Sequence, residues 1–66
     1  MKRVIKLPPN YWPPDDFEFF GRQTDGVVKL FLVRKNPREM LEVEWVEGFE
    51  IPGTLREYFQ SCLEGK

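Results

Sequence analysis

The sequence contains no histidine and a single cysteine, and none of its apolar runs approaches the length of a membrane span. Without histidine, the commonest general base of enzymes is missing. With Cys62 alone, neither an intrachain disulfide nor a Cys/His zinc site can form. The basic N-terminus is not followed by an apolar segment, so we expect no signal peptide and no membrane partner. A free thiol without an export signal favours a cytoplasmic location.

The charge is nearly balanced, with 10 basic and 11 acidic residues and a formal net charge of −1. This balance gives no electrostatic footprint for a nucleic acid or an anionic membrane. The composition, 15% aromatic and 32% charged, is typical of a folded domain. We expect residues 1–66 to form one domain. So short a chain buries a limited fraction of its surface, and it needs tightly packed aromatics or self-association to be stable.

The strongest local signal is a β-hairpin around Asp25-Gly26. This dipeptide between apolar runs is typical of a two-residue type I′ turn, in which both central residues need a positive φ. With this turn, Thr24 pairs with Val27. Counting back along the strands predicts the cross-strand pairs Phe20–Phe31, Gly21–Leu30 and Phe19–Leu32.

A second turn is predicted at Asn36-Pro37-Arg38-Glu39, because proline suits the second position of a turn and asparagine suits the first. A four-residue loop here predicts the pairs Lys35–Met40, Leu32–Val43 and Leu30–Trp45. A three-residue loop would shift the register by one and place Glu42 and Glu44 among apolar side chains, so the four-residue loop is preferred. The predicted strands are Phe17–Gln23, Val27–Lys35 and Met40–Glu47.

These two turns divide the strands into two faces, because side chains alternate along a strand. The core face holds Phe17, Phe19, Gly21, Val28, Leu30, Leu32, Leu41, Val43 and Trp45, with Arg34 at its rim. The mixed face holds Glu18, Phe20, Arg22, Val27, Lys29, Phe31, Val33, Glu42, Glu44 and Val46. We expect Trp45 to lie in the packed core and to lean into the space left by Gly21.

Residues 1–15 form an N-terminal arm in this interpretation. Arg3–Leu7 is a candidate for a fourth, edge strand, and Pro8–Pro14 is a stiff, extended connector because proline cannot donate to a strand ladder. As a connector, it would tuck Tyr11 and Trp12 against the core. The alternative is that this segment is itself a ligand for a proline-recognition domain.

The C-terminal segment 54–65 predicts a helix near Leu55–Glu64. Thr54 and Glu57 have the spacing of a capping box, and Gly65 suits the position after the last turn. An apolar stripe at helical spacing includes Cys62, which we interpret as a small buried hydrophobe. The predicted fold is therefore α+β: a small antiparallel meander over 16–47 of three strands, or four with the arm, and one C-terminal helix packed on the core face.

We expect no catalysis, no cofactor and no metal. Cys62 lies on an apolar stripe, and Ser61 has no recognisable base beside it. Glu42, Glu44 and Glu47 lie along one predicted strand, where cross-strand pairing with basic residues accounts for them.

The function expected from the sequence is binding of another protein, or of a second copy of the chain, through the mixed face. Aromatic side chains at a centre with charges of both signs at a rim are typical of protein interfaces. The predicted contact residues are Phe20, Arg22, Lys29, Phe31, Val33 and Glu44. One alternative is that Tyr11 and Trp12 cover this face within the monomer. Another is that sheet aromatics bind single-stranded nucleic acid.

Overall fold

The structure, a computed structural model, describes residues 3–64. These residues form four strands and one helix: β1 (Val4–Leu7), β2 (Phe17–Thr24), β3 (Val27–Lys35), β4 (Arg38–Trp45) and α1 (Leu55–Leu63). The strands form one sheet in the order β1-β4-β3-β2, and β1 is parallel to β4 whereas the other neighbours are antiparallel. The predicted α+β meander is confirmed, with the arm supplying the fourth, edge strand. Gly65, predicted to follow the helix, lies outside the described residues.

The first predicted turn is confirmed. Asp25 and Gly26 have φ values of 53° and 79°, and Thr24 pairs with Val27. Every pair counted back from this turn is present, including Phe20 with Phe31. The hairpin register follows from the turn because a two-residue loop leaves one way to close the ladder.

The second predicted register is wrong by two residues. The loop contains only Asn36 and Pro37, so that Lys35 pairs with Arg38. The Asn36–Pro37 peptide bond is cis, and proline occupies the third position of the turn instead of the second. Strand β4 therefore begins at Arg38. Because side chains alternate with a period of two, a shift of two leaves every residue on its predicted face.

The core lies between the sheet and the helix. Phe59 of α1 is fully buried, and its ring meets that of Phe17 edge-on with the centroids 5.1 Å apart. The buried cluster consists of Ile5, Leu7, Phe17, Leu32, Leu41, Leu55 and Phe59. Burying this many large apolar side chains is what docks the helix, at roughly 1.5–3 kcal/mol for each one fully removed from water.

Trp45 lies on the core face but outside the buried cluster. Its side chain is 43% exposed, so the expectation that it forms part of the packed core is wrong. Its ring centroid is 5.8 Å from that of Phe19, a partly buried residue that packs against the cluster. A Cβ atom at Gly21 would meet no atom within 4 Å, so the indole does not occupy the space beside this glycine.

The helix start has the predicted capping box. The Thr54 hydroxyl accepts a hydrogen bond from the Glu57 N–H at 3.3 Å, and the Glu57 carboxylate accepts one from the Thr54 N–H at 3.4 Å. Arg34 ties the sheet to the helix: its Nη1 donates to Gln60 Oε1 at 2.9 Å, and its guanidinium lies 5.3 Å from the centre of the Phe59 ring. These polar contacts hold α1 in place at the rim of the core.

The β2–β3 hairpin extends beyond the rest of the sheet. The β3–β4 ladder starts at Phe31 and Glu42, whereas β2 and β3 stay paired as far as Thr24 and Val27. Residues 20–29 are all exposed, and Val28 retains 70% of its surface. Half of this hairpin is therefore available for contact on both faces.

Candidate functional site

Phe20 and Phe31 are direct cross-strand neighbours at the centre of the mixed face. Phe20, on the edge strand, is 43% exposed, and Phe31 is half-buried. Across the sheet, Phe31 is paired with Glu42 on β4, and Glu42 is paired with Val4 on β1. The face therefore presents an aromatic pair at one side and an acidic and an apolar residue at the other.

The other predicted contact residues lie around this pair. Arg22 and Lys29 face each other one row nearer the hairpin tip, and both are exposed. Glu44 is exposed on β4, paired with Lys6 of β1. Val33 is only 2% exposed, so it packs beneath its neighbours and offers a partner little surface.

The mixed face is basic, although the chain as a whole is slightly acidic. Alternation along the four strands places five basic side chains and three acidic ones on this face: Lys6, Arg22, Lys29, Lys35 and Arg38 against Glu18, Glu42 and Glu44. Since the net charge of the chain is −1, the rest of the sequence has three more acids than bases. The strand residues of the mixed face thus carry a net positive charge, which the overall composition does not indicate.

The N-terminal arm does not cover the mixed face. Strand β1 lies in the plane of the sheet beside β4, and Tyr11 packs against the core cluster. The Trp12 ring contacts that of Phe19, on the core face, with the centroids 6.5 Å apart. The alternative in which Tyr11 and Trp12 screen Phe20 and Phe31 is therefore wrong, because backbone pairing of β1 directs the connector to the opposite side.

A groove lined by aromatic rings is a second candidate surface, which sequence reasoning missed. It encloses about 620 Å³ on the core face, beyond the helix. Its lining residues are Pro9, Asn10, Tyr11, Trp12, Phe19 and Trp45. Trp12 is 84% exposed, so the expectation that the connector tucks both aromatics against the core holds only for Tyr11. The Pro-Pro-Asn-Tyr-Trp-Pro-Pro run was the available signal, since stiff backbone can hold a side chain away from the core.

Cys62 is half-buried at the edge of the core, next to Tyr58. Burial raises the pKa of its thiol above the usual 9.0, and the neighbouring Tyr58 side chain opposes this only in part. The thiol is therefore protonated at neutral pH and is a weak nucleophile. Within residues 3–64 no group of three or more His, Cys, Asp or Glu side chains is placed to hold a metal ion. No helix in this range is long and apolar enough to cross a membrane.

Comparison with protein-family models gives no match. Comparisons with curated proteins and with solved structures give no significant match either.

Proposed function

We propose that the protein is a non-catalytic interaction module that binds another protein through the mixed face. The observation that carries this proposal is the paired Phe20 and Phe31 on a sheet face over which neither α1 nor the N-terminal arm packs. Small monomeric proteins rarely leave aromatic patches bare unless the patch binds something. Arg22, Lys29 and Glu44 at the rim then fix the orientation of the partner.

The charge of this face indicates the chemistry of the partner. Two more bases than acids on the face attract a surface that is acidic around an apolar centre. Two copies placed face to face would bring like charges together, which opposes association in that arrangement. The partner at this face is therefore a different protein with an acidic rim.

We also propose that the protein acts in the cytoplasm. Cys62 is a lone thiol, and its partly buried position keeps it from pairing readily with another cysteine. Lone thiols of this kind persist most easily in a reducing compartment. Blocking the thiols in intact source cells before lysis, followed by mass spectrometry of Cys62, tests this: a largely oxidised thiol would contradict it.

The binding proposal is tested with a double variant and a matched control. Phe20→Ser/Phe31→Ser removes the aromatic pair, whereas Val28→Ser removes a still more exposed apolar side chain from the core face of the same hairpin. A partner recovered from lysate is purified and titrated against the three proteins, and each is checked for folding by a thermal melt. We expect the double variant to lose affinity at least roughly tenfold and Val28→Ser to bind like wild type. Equal binding by all three proteins would refute the mixed face as the site.

If the double variant unfolds, the surface charges provide the second test. Lys29→Glu reverses an exposed charge at the rim, and Glu50→Arg reverses one in the loop before α1. A partner with an acidic rim should bind the first variant more weakly, and more so at low salt, and should bind the second unchanged. An unchanged affinity of Lys29→Glu would count against an acidic partner.

Single-stranded nucleic acid is the second candidate, favoured by Arg22 and Lys29 next to an aromatic pair that could stack with bases. Against it, the acidic side chains of Glu18 and Glu44 share this face, and the chain as a whole has a formal net charge of −1. Titration with fluorescent oligothymidine and oligouridine distinguishes the two functions. Binding that falls steeply with salt and is lost in Phe20→Ser/Phe31→Ser would replace the protein partner by a nucleic acid.

A further inference from the structure

Strand β2 forms an open edge of the sheet. The Lys35 N–H donates to the Asp16 carbonyl at 3.0 Å, and the hydrogen-bonded pairs of an antiparallel ladder recur at every second residue. The even-numbered residues of β2 therefore bond to β3, and the backbone groups of Phe19, Gly21 and Gln23 point away from the sheet. No strand lies beyond β2 within residues 3–64. Such an edge is a template for another strand.

From this edge we infer that the protein forms a homodimer in which two β2 strands pair antiparallel about a two-fold axis at Phe20. A two-fold axis makes an edge-to-edge pair of identical chains self-complementary. Whenever one residue lies opposite a second residue of the other copy, the reverse pair forms as well. The pairing would join two four-stranded sheets into one of eight strands. This inference stands beside the proposed binding function and does not depend on it.

The charges of β2 select the register. In an antiparallel pair centred on Phe20, Glu18 of each copy lies opposite Arg22 of the other, so two pairs of opposite charge form. Charged side chains on an edge strand usually discourage pairing. Here Glu18 and Arg22 have opposite charges and are equally distant from Phe20. They therefore attract each other across the dimer when Phe20 lies on the axis, which favours this register. Both side chains are exposed, and Phe20 would stack on its own copy at the axis.

The core face of the same register is also complementary. Phe19 of each copy lies opposite Gly21 of the other, and a Cβ at Gly21 would meet nothing within 4 Å. The ring of one copy can therefore cover the bare glycine of the other, an arrangement that stabilises glycine in edge strands.

The next register along the strand fits less well. If Gly21 lay on the axis, Phe20 would face Arg22 and Glu18 would face Thr24, so that neither charge pair would form. Gly21 would then face its own copy, and the glycines would remain uncovered. The Phe20-centred register is therefore the one that we test.

A charge-swap experiment tests the dimer and its register together. The molar mass of the wild-type chain is measured by sedimentation equilibrium from micromolar to millimolar concentration, next to Glu18→Arg, Arg22→Glu and the double variant Glu18→Arg/Arg22→Glu. We expect wild type to dimerise, each single variant to weaken the dimer roughly tenfold or more, and the double variant to recover it, because both charge pairs are then re-formed. Glu50→Arg, an exposed reversal away from the edge, should dimerise like wild type.

A cross-link gives an independent readout of the axis. Opposite residues of a non-hydrogen-bonded pair have Cα atoms about 4.5 Å apart, within the range of a disulfide. In a Cys62→Ala background, Phe20→Cys should therefore form a covalent dimer under mild oxidation. Val27→Cys, which is exposed on the neighbouring strand, should not.

Three results would overturn the inference. They are a wild-type chain that stays monomeric at millimolar concentration, single charge variants that dimerise as well as wild type, and cross-linking of Val27→Cys as efficient as that of Phe20→Cys. Of the edge variants, Glu18→Arg alters none of the proposed contact residues of the mixed face, and Lys29→Glu alters that face without changing β2. Loss of the dimer and loss of a protein partner at the mixed face can thus be told apart.

Discussion

The hydroxyl of Tyr58 binds both backbone groups of Lys6. It accepts a hydrogen bond from the Lys6 N–H at 3.1 Å and donates one to the Lys6 carbonyl at 2.9 Å. The carbonyls of Arg3 and Leu7 accept hydrogen bonds from Glu42 in β4 and from Val46 just after it, so the Lys6 groups between them point away from the sheet. A side chain of the helix thus closes the outer edge of β1, while the outer edge of β2 stays open.

The first prediction concerns this closure. Tyr58→Phe keeps the ring and removes the hydroxyl, and we expect it to lower the free energy of unfolding by about 1 kcal/mol. Tyr11→Phe is the matched control, because the Tyr11 ring is also half-buried. Urea denaturation followed by tryptophan fluorescence measures both variants. An equal loss in the two would mean that the bonds to Lys6 contribute nothing.

The second prediction concerns alkaline pH. Burial raises the pKa of Tyr58 above its usual 10.0, and the hydrogen bond with Lys6 opposes this in part. A phenol with a raised folded-state pKa contributes stability that is present below the unfolded-state pKa and is lost as pH rises through the folded-state pKa. Stability should therefore fall as pH rises above 10, and it should fall less steeply in Tyr58→Phe.

Two other groups also lower stability at alkaline pH, so Tyr58→Phe should still lose some stability as the pH rises. Burial also raises the pKa of Tyr11 and of the Cys62 thiol. Unfolding free energies of both proteins, measured by urea denaturation at a series of pH values, give the comparison. A variant as sensitive to alkali as wild type would exclude Tyr58 as a source of the slope.

The third prediction compares a fully buried aromatic residue, Phe59, with a partly exposed one, Trp45. Phe59→Ala should cost about 3–5 kcal/mol, as expected for a fully buried ring, and could unfold so small a domain. Trp45→Ala should cost roughly 1–2 kcal/mol, because nearly half of its side chain is already in water. Thermal melts of the two variants provide the measurement. Similar destabilisation by both would place Trp45 in the core after all.

The fourth prediction concerns the thiol. A maleimide should label Cys62 more slowly in the folded protein than in denaturant, because the thiol is half-buried and its pKa is raised by burial. The control is Ser61→Cys/Cys62→Ala, which moves the thiol to an exposed neighbouring position. Labelling of this control should be fast in both states. Equally fast labelling of folded wild type would show that Cys62 is accessible.

Local patterns determined the elements and their faces. Asp25-Gly26 specifies its own turn because it tolerates positive φ, and Thr54 with Glu57 specifies the helix start because the two residues cap each other. The alternation of apolar and polar residues sorts each strand into a core face and a mixed face. Even the misplaced Asn36-Pro37 loop left Glu42 and Glu44 on the predicted face, since its error was an even number of residues.

Other features of the fold depend on contacts between segments that are distant in the sequence, and no local sequence pattern specifies these contacts. The parallel pairing of Val4–Leu7 with β4 takes the connector to the core face and leaves Trp12 exposed. Phe17 and Leu41 are buried in one cluster with Phe59 of the helix, whereas Trp45 lies outside this cluster and stays 43% exposed.

The sequence by itself therefore determined the strands, the helix and the side on which each residue lies, because turns, caps and alternation act over a few neighbouring residues. Only the tertiary structure decided that the mixed face is open and basic, that Tyr58 closes one sheet edge and that β2 leaves the other unpaired. These features arise when residues distant in the chain come together. The surfaces on which both proposals rest are therefore products of the fold.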